Sequence, residues 1–216
     1  MQNFLGIIIS FIFVFLMIAM SYGLKKMYII GSEGARKFIH IGVSNWWFIL
    51  MFFFDNVFFA IVPPISFIIL NYISYKRNLI KPMEREGKGS FGTIYFPIAL
   101  LILVIASFTI TNVYIGAMGI FVLGYGDGLA AVIGLKYGKK KIYGHKTFVG
   151  TITMFVTSFL IIYVIMINIT SITQALWFSL FIAFVVSAVE LYTPKSLDNL
   201  TVPIATSLLA MLLMLL

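Results

Sequence analysis

The sequence predicts an all-α, polytopic integral membrane protein: a helical bundle of about eight transmembrane helices. Three observations point there. Of 216 residues, 62% are hydrophobic and only 10% charged, against about a quarter charged in a soluble domain. The apolar residues fall into runs of roughly 20, the length that spans a bilayer as a helix. The 15 lysines and arginines sit in every second gap between those runs. Residues 1–216 read as a single transmembrane domain, with no duplicated motif that would mark an internal repeat.

The runs are approximately 4–22, 38–54, 57–75, 91–110, 113–135, 148–168, 171–191 and 200–216. The first has no positive charge before it, and Lys25 and Lys26 follow it. It therefore reads as a first spanning helix and not as a cleavable signal. Pro63-Pro64 predicts a kink in the third run. The second and eighth are the shortest. Lys25, Lys26, Arg36 and Lys37 separate runs one and two; Lys76, Arg77, Lys81, Arg85 and Lys88 separate three and four. Lys136, Lys139, Lys140, Lys141 and Lys146 separate five and six, and Lys195 separates seven and eight. By the positive-inside rule those four loops are cytoplasmic and both termini lie outside. The acids follow the bases, Asp55 alone being external. The net charge of +8 thus reflects loops facing headgroups or anionic ligands, with no nucleic-acid partner implied. The chain has no cysteine, which excludes disulfides, thiolate metal sites and thiol nucleophiles.

The segment "GYGDGLAAVIGLKYGKKKIYGHKTFVGT" (124–151) carries the most chemistry. Gly124, Gly128, Ala131 and Gly134 keep one helix surface small, a pattern that suits close helix packing. Asp127 is an acid inside an apolar run, which is costly and marks a polar cavity or an ion pair to a nearby lysine. The loop after it combines Gly138 with Lys139, Lys140, Lys141 and Lys146. Glycines let backbone N–H groups turn toward an anion and lysines add point charge, a pairing suited to polyphosphate; the same charge also suits lipid headgroups. Lys146-Thr147 opens the next helix, whose N-terminus favours anions. Neither the Walker spacing nor a dinucleotide-binding fingerprint is present.

Here the sequence resembles the CTP-dependent membrane lipid kinases: dolichol kinase, phytol kinase and the CTP-dependent diacylglycerol kinase. The segment above carries the resemblance together with "EGARKFIHIGVSNWW" (33–47), "GTIYFPIA" (92–99) and "VELYTPKSLDNLTVP" (189–203). The four occur in order over most of the chain. The resemblance implies an all-helical membrane fold and transfer of the γ-phosphoryl of CTP to the hydroxyl of a lipid alcohol such as diacylglycerol, a polyprenol or phytol. It also reaches the phosphatidate cytidylyltransferases, whose related motif has glutamate where this chain has Val149.

Asp127, Glu190 and Asp198 are the candidate catalytic carboxylates, each qualifying as the base. Asp127 and Asp198 are the candidate ligands of Mg²⁺, a cation that keeps several waters and few carboxylates. Asp198 also reads as a helix cap and Glu190 as a partner of Lys195. Gly138, Lys139, Lys140, Lys146 and Thr147 are the candidate phosphate contacts. Arg36, Lys37 and His40 are candidates for phosphate or substrate; Arg36, His40 and Ser44 share one helix face. Asn45 reads as a packing residue. "KPMEREGKGS" (81–90) reads as a solvated loop, so Glu84 and Glu86 carry little functional weight. Two other functions fit parts of this pattern: nucleotidyl transfer to phosphatidate, and a membrane transporter using Asp127 as an ion site. The short, uncharged outer loops disfavour the transporter.

Overall fold

The computed structural model describes residues 1–77, 91–194 and 196–215. The segment containing Glu84 and Glu86, and Lys195, lie outside them. Among the described residues the chain is helical apart from one short hairpin. Six helices among them are long and apolar enough to cross a membrane: Gln2–Lys26, Val57–Arg77, Gly92–Thr109, Val113–Tyr137, Phe148–Met166 and Ile172–Tyr192. The backbone divides into two compact units, Met1–Val113 and Tyr114–Leu216.

In the first unit, α1 (Gln2–Lys26) packs along α2 (Ser32–Ser44) and α3 (Trp46–Phe53). The second predicted span is therefore two helices, and Arg36 and Lys37 lie within α2, not in a loop. The break is at Asn45, whose Nδ2 donates to the carbonyls of Ile41 at 3.0 Å and Gly42 at 3.3 Å. A side-chain amide there takes up carbonyls at the end of α2. Polar bonds tie the helices together. Ser21 Oγ donates to Ala35 O at 2.8 Å, and Trp46 Nε1 donates to Ser10 Oγ at 2.7 Å. Asp55 is held reciprocally: Asn3 Nδ2 donates to its carboxylate at 2.6 Å, and its N–H donates to Asn3 Oδ1 at 3.1 Å. A four-residue helix, α4 (Val57–Ala60), is separated at Ile61 from α5 (Val62–Arg77). The interruption immediately precedes Pro63-Pro64, which lie in the first turn of α5, where proline's missing N–H costs least. α5 then packs on α6 (Gly92–Thr109), with Asn71 Nδ2 donating to Thr93 O at 2.7 Å.

The second unit is built on one rod made of α7 (Val113–Phe121), a π-helical segment (Val122–Asp127) and α8 (Gly128–Tyr137). It is the most buried of the six, with 67% of its apolar stretch covered against 22–39% for the others. Gly124, Gly126 and Gly128 weaken the α-helical preference there. Such π segments recur at functional sites, and this one ends on Asp127. α9 (Phe148–Met166) packs on α8 and on α10 (Ile172–Tyr192), while α11 (Asp198–Leu213) packs on α10 and the π segment. α11 has 16 residues and matches the short eighth run. Outward apolar side chains such as Val156, Leu160 and Phe181 suit lipid contact.

Small residues set the α8–α9 spacing, and Gly134 of the predicted small-residue surface lies at the contact. A Cβ on Gly134 would lie 3.2 Å from Gly150 Cα, and one on Gly150 would lie 3.0 Å from Ala130 O. The glycine-lysine loop then folds as a hairpin of β1 (Lys141–Tyr143) and β2 (Lys146–Thr147), with Lys141 opposite Thr147 and Tyr143 opposite Lys146. Its two loop residues are Gly144 and His145, and only Gly144 has positive φ, at 56°. A glycine with positive φ at the first central position is what a II′ turn requires.

Gly138 joins α8 to this hairpin in a space that admits no side chain. A Cβ there would sit 2.3 Å from Thr147 Oγ1 and 2.4 Å from Gly134 O. Gly138→Ala is expected to destabilise the protein by about 1–3 kcal/mol, the usual cost of overpacking. Thermal unfolding of purified protein in detergent would show this as a lower midpoint; an unchanged midpoint would contradict the packing described.

Candidate active site

Three acids far apart in sequence meet in the second unit. Asp127 closes the π segment, Glu190 lies in the last turn of α10, and Asp198 is the first residue of α11. The chain reverses between the last two through Pro194 and Ser196, the latter with φ of 73°. One carboxylate oxygen from each acid lies within 4.8 Å of the others. Asp127 and Glu190 are buried, at 5% and 6% exposure, and Asp198 is half-buried. At that spacing two full charges repel by about 3 kcal/mol, taking an effective dielectric constant of about 20. A cation is needed to hold all three ionised.

Lys146 supplies one. Its Nζ lies 2.6 Å from Glu190 Oε1 and 3.9 Å from Asp198 Oδ2, and it also donates to the backbone carbonyl of Glu190. The hairpin makes this possible, because β2 places Lys146 immediately before α9. Asp198 Oδ1 also accepts from the N–H of Asn199 at 3.0 Å. Its position in the first turn of α11 favours a negative charge through the helix dipole. The cap position itself belongs to Leu197.

The donor set is chemically suited to a hard divalent cation. All three ligand atoms are carboxylate oxygens, the type that Mg²⁺, Ca²⁺ and Mn²⁺ prefer over softer metals. Asp127, Glu190 and Asp198 are the residues that can hold it.

Known proteins match this chain across most of its length. A phytol kinase from Synechocystis sp. is 28% identical over 202 residues, covering 87% of this chain and 82% of the relative. Phytol kinase 1, chloroplastic, from Arabidopsis thaliana is 30% identical over 214 residues, covering 88% and 69%. This chain belongs to the phytol kinase family. A probable phytol kinase 1, chloroplastic, from Oryza sativa is 29% identical over 214 residues, covering 88% and 68%. No family model matches the chain, and no solved structure does. Membership of this family makes the protein a membrane lipid kinase, with a lipid substrate and a nucleotide donor.

The other residues singled out by sequence are placed as follows. Lys139 and Lys140 are exposed at the start of the hairpin. Thr147 is buried: its Oγ1 accepts from Gly150 N at 3.2 Å, capping α9, and approaches Gly134 O at 3.5 Å. Its hydroxyl is thus engaged in helix capping and packing, a role that threonine before a helix favours. In the first unit, Arg36 forms a two-point ion pair with Glu33, at 2.5 and 3.1 Å. Lys37 is buried at 4% exposure on the same helix. His40 stands edge-to-face against Phe96, with ring centroids 5.2 Å apart.

The sequence offers Lys195 as one partner for Glu190, but Lys195 lies outside the described residues; among the described residues Glu190 pairs with Lys146. The π segment is not announced by the sequence. The run of glycines around Asp127 was the available signal for that, but spacing alone does not separate a π turn from small-residue packing.

Proposed function

We propose that this lipid kinase transfers the γ-phosphoryl group of CTP to the hydroxyl of a phytol-like isoprenoid alcohol. The observation that carries the reading is the carboxylate cluster with Lys146 at its edge, in a chain related to phytol kinases. The alcohol oxygen attacks the γ-phosphorus, the bond to the β–γ bridging oxygen breaks, and CDP leaves. The hydroxyl proton passes to one of the three carboxylates. Asp127 and Asp198 would hold Mg²⁺, which when bound neutralises phosphate charge. Lys146 has three N–H donors, two of which meet Glu190; the third serves a phosphate oxygen. Lys139, Lys140 and the backbone at Gly138 and Thr147 complete the phosphate contacts. Arg36, Lys37 and His40 are assigned to phosphate or substrate. Such transfer depends largely on positioning and electrostatics, which is what this cluster offers. The whole chain, residues 1–216, acts as one kinase domain.

The alcohol's chain stays in the bilayer while its hydroxyl reaches headgroup depth. The site faces the cytoplasm and both termini lie outside, a reading supported by the placement of all 15 basic residues. Because the chain has no cysteine, a single cysteine replacing Lys140 would report the side. It is expected to resist an impermeant maleimide in intact cells and react after lysis; labelling in intact cells would reverse the topology.

Asp127→Asn is expected to lower turnover by on the order of 100-fold or more, about 3 kcal/mol of transition-state stabilisation, while membrane insertion persists. Near-parental turnover would remove Asp127 from the site.

The reaction itself is tested with purified protein, Mg²⁺, labelled CTP or ATP, and a panel of phytol, polyprenol and diacylglycerol. Label from γ-labelled CTP is expected in the lipid, phytol leading the panel, with CDP as co-product. Val149 stands where the cytidylyltransferase motif has glutamate and offers no ligand. Entry of α-label into lipid with release of pyrophosphate would therefore overturn the kinase chemistry, and better use of ATP would overturn the donor.

A further inference from the structure

α10 ends at Tyr192. In an α-helix each carbonyl takes the N–H four residues ahead. Thr193 N still donates to Val189 O at 3.0 Å. For Glu190 the residue four ahead is Pro194, which has no N–H to give and which follows an extended Thr193 (ψ 132°), the conformation that a residue before proline favours. The helical ladder therefore stops at the Glu190 carbonyl, and the Lys146 ammonium takes the place of the missing donor. The same ammonium lies 2.6 Å from the Glu190 carboxylate, against 3.9 Å for Asp198. On the hairpin, Tyr143 lies opposite Lys146 and sets its ring edge-on to Tyr192, with centroids 5.4 Å apart. The hairpin thus meets the end of α10 at two points.

We propose that Glu190 is a positioning residue. Its carboxylate and the carbonyl that Pro194 leaves without a helical donor form a socket for Lys146, and Asp127 with Asp198 take the divalent cation. This rests on the reading of Lys146 as a phosphate contact. Lysine is a flexible point charge on a four-carbon stem. Two contacts to one residue fix the direction of its remaining donor before the nucleotide arrives. The competing role for Glu190 is that of a third metal ligand.

Mn²⁺ binding without nucleotide, followed by the loss of its free-ion paramagnetic resonance signal, separates the two. The full chain in detergent is compared with Glu190→Gln, Pro194→Ala, Lys146→Met, Asp127→Asn and Asp198→Asn. Asp127→Asn and Asp198→Asn are expected to weaken Mn²⁺ binding by about tenfold or more, in the range typical of lost metal-site contacts. Glu190→Gln and Pro194→Ala are expected to change it by about threefold or less. In turnover assays Glu190→Gln and Lys146→Met each raise the nucleotide KM, and the double variant is no worse than the worse single one, as for two residues acting as a unit. Pro194→Ala raises KM several-fold with all three carboxylates intact. Glu190→Gln weakening Mn²⁺ as much as Asp127→Asn, additive single effects, or a parent chain that takes up no Mn²⁺ would each overturn the proposal. If Glu190→Gln does not accumulate, Pro194→Ala decides: a raised KM with unchanged Mn²⁺ binding supports the socket, and an unchanged KM refutes it. The Mn²⁺ comparison needs no turnover, so it reads the place of Glu190 even where transfer from CTP fails.

Discussion

Charge balance in a low-dielectric setting governs the second unit. Asp127, Glu190 and Asp198 bring three carboxylates within 4.8 Å of one another, two of them buried. Ionised acids in such surroundings are costly unless paired. Among the described residues Lys146 supplies the nearest cation, and the elements around it are arranged so that it can. The hairpin turns at Gly144, β2 delivers Lys146, and Thr147 starts α9 directly behind it.

Close packing keeps that arrangement in place. Gly138 leaves no room for a side chain, and Gly134 and Gly150 leave little, where α8, the hairpin and the start of α9 meet. Protein interiors pack at crystal-like density and transmit small displacements. Gly138, the glycine at the start of the predicted phosphate loop, therefore also serves as a spacer between α8 and the start of α9. The two roles are compatible, since both require the backbone to come close to another group.

The first unit adds polar bonds to close packing of its own at Gly6, against Phe53, and Gly42, against Met17. Its helices are joined through single hydroxyl, amide and indole bonds: Ser21 to Ala35, Trp46 to Ser10, and Asn71 to Thr93. Helices in lipid gain little from apolar burial against one another, so packing and isolated polar bonds do more of the joining. Arg36 and Glu33 pair on α2.

The sequence by itself determined the membrane character, the helical class and the approximate positions of the long helices. Those follow from local quantities: the length of an apolar run, the absence of charge within it and the charge at its ends. It also picked out Asp127 as an acid inside an apolar run, while Glu190, Asp198 and Lys146 stand out through the motifs that resemble the lipid kinases. Tertiary structure decided which of them meet. Asp127 and Glu190 are 63 positions apart, and no local pattern encodes their contact. Glu190 meets Lys146 because the hairpin, whose register depends on one turn, brings that lysine to the end of α10. The division of the second span at Asn45 and the π turn before Asp127 were decided in the same way, by side-chain hydrogen bonds and close packing that composition and periodicity do not record.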